Sequence, residues 1–158
     1  MKKGVLASLT AITGIVTGTV VSRKICNNII EQKEEKVDKF KTYYNLLNQW
    51  LQLKQNGKSL SEYFSNNKYN EIAVYGMGEL GNRFIEELSN TKVQVRYAID
   101  KKAASTYSDL KLIEPDDELE QVDAIVVTAI FAFEEVKELL SEKIDCPIIS
   151  LEEIVYNI

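Results

Sequence analysis

Hydrophobic and polar positions change rhythm along this chain, and each change predicts a different element. Residues 4–22, GVLASLTAITGIVTGTVVS, carry no charge and are closed by Arg23-Lys24. Nineteen uncharged residues can span a bilayer as a helix, although three Gly and six Ser or Thr make this run only weakly apolar. From about Cys26 to Gln55 the pattern turns helical. Ile30, Val37, Tyr44 and Leu51 recur every seven residues, with Phe40 and Leu47 three positions after Val37 and Tyr44. Lys33 and Lys54 take the corresponding places at the ends, so the seam stays apolar for barely three turns, less than a coiled coil sustains. The spacing therefore predicts an amphipathic helix lying against the domain that follows. Its charged first half, EQKEEKVDK, reads as a solvated stalk.

Gly57 predicts the end of that helix, and Ser59 followed by Glu62 has the spacing of a capping box for a short helix ending near Asn66-Asn67. From Glu71 onward strand-like and helical runs alternate. EIAVYG, VQVRYAID, LKLI, DAIVVTA and PIISL are strand candidates; LGNRFIEELSN, FEEVKELLSEK and EEIVYN are helical. Alternation of this kind implies a parallel sheet wound by right-handed crossovers. The expectation is an α/β fold, Rossmann-like, with five parallel strands in the order 3-2-1-4-5, preceded by a membrane helix and amphipathic helices. The corresponding division is residues 1–24 as anchor, 25–68 as helical stalk and amphipathic helices, and 69–158 as a nucleotide-binding domain.

Composition narrows the chemistry. The chain has 158 residues, a formal net charge of -5 and no His. An acidic chain without a basic face is a poor partner for duplex nucleic acid. The absence of His removes the commonest general base and metal ligand. Cys26 and Cys146 lie far apart without metal-like spacing, and the carboxylates form no clustered set, so no metal site is expected. Residues 4–22 are read as an uncleaved anchor, in preference to a signal peptide cleaved near Val20-Val21-Ser22 or a soluble helix. The basic residues favour a cytoplasmic C-terminal side: Lys2 and Lys3 precede the segment, while Arg23, Lys24, Lys33, Lys36 and Lys39 follow it. The localisation expected is a single-pass cell-membrane protein with its α/β domain in the cytoplasm.

YGMGELGNRFIEEL, residues 75–88, carries the candidate site. Gly76-x-Gly78-x-x-Gly81 follows a strand candidate and opens a helix, the context in which this spacing binds a dinucleotide. Gly76 suits the tight turn, Gly78 leaves the backbone open to a pyrophosphate, and Gly81 allows close packing of helix on strand. The first-turn N–H groups, from Met77 through Glu79 and Leu80, would face the anion. Asp100 ends the second strand 24 positions after Gly76, where an acidic residue holds the ribose hydroxyls and favours NAD over NADP; Lys101 and Lys102 blur that preference. Thr128, at the end of the fourth strand, either bonds a ribose or sugar or caps the next helix. Against the binding reading stands a structural one, in which the glycines only turn the chain and Asp100 caps a loop. Glu79 belongs to that side, since its charge suits a helix start but stands near any bound phosphate.

YNEIAVYGMGELGNRFIEEL, VRYAID and VDAIVVTAIF together resemble small Rossmann-like modules of bacterial surface-polysaccharide gene clusters. These are similar to the N-terminal nucleotide-sugar-binding domain of sugar acyltransferases and to nucleoside-diphosphate-sugar epimerase-like domains. The resemblance covers about residues 48–158 and implies binding of NAD(P) or a nucleotide-sugar, without implying catalysis. The acyltransferase chemistry lies on an appended β-helix with a His, and this chain has neither. Tyr97-x-x-x-Lys101 matches the letters of the epimerase catalytic pair, yet it falls on the second strand and reads as accidental. The function expected is a membrane-tethered nucleotide-binding module, accessory or regulatory in surface-polysaccharide synthesis, with a biosynthetic enzyme or a second copy as protein partner. A minimal NAD-dependent enzyme completed by dimerisation, or an inert scaffold, are the alternatives.

Overall fold

Strands covered on both faces must be apolar where they are covered, and residues 72–75, 97–99 and 124–127 meet that condition. The computed structural model describes residues 26, 28–104 and 109–158 in full, and residues 2–25, 27 and 105 as helical backbone only. Its strands are β1 (Glu71–Tyr75), β2 (Gln94–Ile99), β3 (Leu112–Ile113), β4 (Ala124–Val127) and β5 (Ile148–Ser150). They form one parallel sheet in the order β3-β2-β1-β4-β5, as expected from the sequence. The protein has a Rossmann-like α/β fold. In the central register Tyr75 lies level with Ile99 on one side and Val127 on the other, which aligns the carboxyl ends of β1, β2 and β4.

The two-residue alternation of the strands sorts their side chains into two cores. Ile72 and Val74 of β1 join Ala124 and Val126 of β4 on one face; Ala73 and Tyr75 join Ile125 and Val127 on the other. The first face is covered by α2 (Ser61–Asn67), α3 (Glu79–Leu88), α5 (Leu151–Tyr156) and the last turns of α1 (Lys2–Gln55). The second is covered by α4 (Phe133–Ser141) through Val136 and Leu140, with Val122 from the β3–β4 crossover. Two short 3-10 helices, Ala103–Ser105 and Ile130–Ala132, complete the described elements.

The chain divides into two compact units, Met1–Tyr44 and Asn45–Ile158. The last turns of α1 belong with the sheet, and they are seated there by Leu46, Trp50 and Leu53, all buried at helical spacing. This corrects the sequence expectation about which residues do the packing. The seven-residue series does not: Leu47 and Leu51 are exposed in the same turns, and Ile30, Val37, Phe40 and Tyr44 are exposed in the first unit. Both stripes advance by alternating steps of three and four residues; the one that packs is offset from the seven-residue series by one position, so Leu46, Trp50 and Leu53 are buried while Leu47 and Leu51 are turned to solvent. The stalk segment 31–39 is exposed throughout. Among the described residues no helix is long and apolar enough to cross a membrane, and the anchor expected at 4–22 lies outside them.

One carboxylate ties these helices together. Glu87 of α3 is 6% exposed and accepts from Trp50 Nε1 at 2.5 Å and from the Leu60 amide at 2.9 Å; Lys54 Nζ stands 3.1 Å away. A buried charge is tolerated only with such partners; Trp50 and Lys54 come from the last turns of α1 and Leu60 from the loop before α2. The capping box is half formed: Glu62 reaches back to the Ser59 amide at 3.0 Å, while the Ser59 hydroxyl turns to Ser61. At the other end of α2, Lys68 adopts a left-handed conformation (φ 62°) and lets Tyr69 N reach Phe64 O at 2.9 Å.

Two stability measurements follow. Glu87→Ala strands the Trp50 indole and the Leu60 amide, and is expected to cost about 2–4 kcal/mol in urea unfolding. Lys68→Gly removes the Cβ penalty at a left-handed residue and is expected to add about 0.5–1 kcal/mol in the same assay, net of the entropy that Gly loses.

Candidate functional site

The glycine turn is built from backbone outward. After β1, Gly76 takes φ +97°, a value L side chains rarely adopt, and donates its N–H to Ile99 O of β2 at 2.8 Å. Met77 N donates to Asp100 Oδ2 at 2.7 Å, so the carboxylate at the end of β2 holds the turn against the sheet. Gly78 returns to extended backbone (φ -79°, ψ -167°), and α3 begins at Glu79 with Gly78 O accepting from Asn82 N. No side chain caps this helix start. Its dipole and first-turn amides are therefore left to water or to a ligand.

The three glycines have three different reasons. A Cβ on Gly76 would lie 2.9 Å from Thr128 Oγ1, on top of the unfavourable φ. A Cβ on Gly81 would stand 2.0 Å from Gly76 O, which no backbone can accommodate without moving. A Cβ on Gly78 would meet nothing within 4 Å, and its φ is open to any residue. Gly76 and Gly81 are thus explained by the fold itself, whereas Gly78 is not.

The remaining sequence candidates fall as follows. Thr128 is 4% exposed; its hydroxyl donates to Gly76 O at 2.7 Å and its amide to Tyr75 O at 2.9 Å. A hydroxyl has one proton, and this one is spent beneath the turn. Thr128 thus neither reaches outward to a sugar nor caps the following helix; it positions Gly76. Asp100 has both oxygens engaged by backbone amides, Oδ2 by Met77 and Oδ1 by Lys102 at 2.7 Å. This is the loop-capping role set against the ribose role in the sequence, although each oxygen keeps a second lone pair. Leu80 is buried, 5% exposed, and packs into the core, so it contributes its backbone alone. Glu79 and Met77 line a cleft of about 400 Å³ beside the turn, together with Asn82, Arg83, Glu86 and Asp109. Arg83 pairs with Glu86 at 2.8 Å on the exposed helix face.

A second cleft, of about 460 Å³, opens at the carboxyl ends of β4 and β5. Ser150, Phe131, Glu134, Glu135, Glu152 and Glu153 are among its lining residues. The paired glutamates open α4 and α5, where negative charge suits the helix dipoles.

Two tyrosines complete the picture. The Tyr97 ring is fully buried and its hydroxyl donates to Glu120 O at 2.7 Å; burial pushes its phenol up to about 12. Tyr97 and Lys101 therefore do not form a catalytic pair, in keeping with their placement in the sequence. Tyr75 was not singled out by any sequence motif. Its hydroxyl is buried without a hydrogen-bond partner among the described residues, and burial raises its phenol above the ordinary range, opposed by the charge of Lys101. Asn82, Arg83 and Asp109 also escaped the sequence reading, since exposed polar residues on a helix or loop carry no spacing signal.

The glycine analysis can be checked directly. Gly81→Ala is expected to destabilise the protein by at least about 2 kcal/mol, because α3 must lift from the turn. Gly78→Ala is expected to lie within about 0.5 kcal/mol of the parent. Urea unfolding followed by circular dichroism decides both.

Compared with family models, curated proteins and solved structures, the chain matches none.

Proposed function

We propose that this protein binds the phosphate-bearing part of a nucleotide, NAD or a nucleotide-sugar, at the turn Gly76–Gly81. The observation that carries the reading is Gly78. The fold accounts for the other two glycines, but at Gly78 neither space nor backbone angle requires one, and it stands at the uncapped start of α3. A ligand that approaches the backbone there supplies the missing reason. Asp100 supports the site mainly by fixing the turn through Met77, and its remaining lone pairs face a ribose only secondarily.

In this reading the protein has no catalytic machinery of its own. It serves as an accessory or regulatory module, tethered to the cytoplasmic face of a membrane through residues 4–22, and acts alongside enzymes of surface-polysaccharide synthesis. The enzyme reading needs a catalytic group at the mouth of the sheet. Among the described residues the groups there are the exposed carboxylates of the β4–β5 cleft, the Lys101–Glu135 pair at 3.4 Å and the buried Tyr75 hydroxyl, and none is paired with a nucleophile or base in a catalytic arrangement.

Native mass spectrometry of the purified full chain is expected to show a retained nucleotide, and calorimetry to rank NAD, UDP-sugars and plain nucleotides. Gly78→Val is expected to abolish binding with an unchanged circular dichroism spectrum, because its φ suits valine and the new side chain fills only the approach to the amides. Glu79→Gln is expected to raise affinity by about two- to fivefold by removing a carboxylate beside the phosphate. Equal affinity in the parent and in Gly78→Val places the ligand elsewhere. Failure of the parent to bind anything on the panel leaves the fold as a scaffold.

A further inference from the structure

The first compact unit carries a surface that the globular unit does not explain. Between Ile29 and Tyr44, Ile29, Ile30, Val37, Phe40, Tyr43 and Tyr44 are exposed, Phe40 by 73% and Val37 by 63%. At roughly 100° per residue they occupy one band, roughly 140° wide, along the helix. The charges are sorted about that band. Lys33 and Lys36 fall inside it and Lys41 at its margin, whereas Glu31, Glu34, Glu35 and Asp38 fall on the opposite half together with Lys39, which is paired there with Glu35. All eight are exposed.

This sorting identifies what the face fits. A second copy of the helix, packed in parallel along the seven-residue seam, would set Lys33 against Lys33 in one layer and Lys36 beside Lys41 at its edge, an arrangement of like charges in the contact. An anionic lipid surface meets the same face with complementary charge. Aromatic and aliphatic groups enter the headgroup boundary, and the lysines, with four-carbon stems, reach the phosphates from within and beside the apolar band. The acidic residues then point to water. We propose that residues 29–44 lie in the plane of an anionic membrane surface, with Val37 and Phe40 inserted and Lys33, Lys36 and Lys41 on the headgroups. The inference rests on this unit alone and is independent of the nucleotide site; with residues 4–22 spanning the bilayer, it requires the chain to turn between residue 22 and Ile29.

The test places an environment-sensitive fluorophore on the full chain at Phe40→Cys or at Asp38→Cys, each with Cys26→Ser and Cys146→Ala. With mixed phosphatidylglycerol and phosphatidylcholine vesicles, the label at position 40 is expected to brighten and shift to the blue, and the label at 38 to stay near its value in buffer. Pure phosphatidylcholine or high salt is expected to remove the difference. Lys33→Gln, Lys36→Gln and Lys41→Gln together are expected to lower the apparent partition constant for this response by roughly 100-fold. An anchor at 4–22 that inserts while the following helix stands clear of the surface leaves positions 38 and 40 alike, and that result overturns the proposal. A response at 40 that needs no vesicles and grows with protein concentration overturns it in favour of a second copy. A response that ignores lipid charge or survives the lysine changes overturns it as well.

Discussion

The seat of α3 on the turn after β1 is the contact on which the mouth of the sheet depends. Gly81, the third residue of α3, sits against Gly76 O more closely than any Cβ permits. That approach is possible because Gly76 holds a positive φ, Thr128 ties the same carbonyl to β4, and Asp100 ties the next amide to β2. Three strands thus converge on one peptide. Each of these groups would be costly to bury alone; together they satisfy one another and leave the first amides of α3 unclaimed. The openness of the helix start is therefore a consequence of how tightly everything beneath it is packed.

A second convergence holds the helical layer. Glu87 gathers the indole of Trp50, the amide of Leu60 and the ammonium of Lys54 around one carboxylate. These groups belong to the end of α1 and the loop before α2, so α3 is clamped from outside as well as from beneath. The apolar share is carried by Leu46, Leu53, Leu60 and Phe64, all in the same core as Phe84 and Leu88 of α3. The last turns of α1, and α2, are thus part of the folded domain rather than a linker to it, and the boundary of the unit falls near Asn45.

The sheet was legible from the sequence because its signal is collective. IAVY and AIVV are apolar without interruption, the helices between them show amphipathic spacing, and the winding rule then leaves the order 3-2-1-4-5. Strand limits were less so: of LKLI only Leu112 and Ile113 pair, beside Ala98 and Ile99 of β2. The short 3-10 helix Ile130–Ala132 left no periodic trace at all. The seven-residue series on α1 was visible, but its partner was not, because i, i+4 and i+7 positions such as Leu46, Trp50 and Leu53 produce an equally plain stripe. At the site, residue types were visible and directions were not. Thr128 turning inward and Asp100 spending both oxygens on amides depend on the register of β1 with its neighbours, and Glu87 is one charged helix residue among several until Trp50 is placed against it.

The distribution of charge around the sheet mouth gives the site a direction. On the β4–β5 side the cleft is lined by Glu134, Glu135, Glu152 and Glu153, of which Glu135 is paired with Lys101. On the β2 side the cleft beside the turn holds Asn82 and Arg83 along with Glu79, Glu86 and Asp109, and Arg83 is paired with Glu86. Among the described residues, three carboxylates without an ion pair thus stand toward β5 and two toward β2. The glutamate side suits the uncharged or cationic end of a ligand, since like charges repel. A dinucleotide or nucleotide-sugar with its phosphates central to the turn satisfies both halves only if its base and ribose extend toward Asn82 and its neutral sugar or nicotinamide toward Ser150. The acidic rim that counts against a phosphate on one side is in this way compatible with a ligand whose charge lies in its middle.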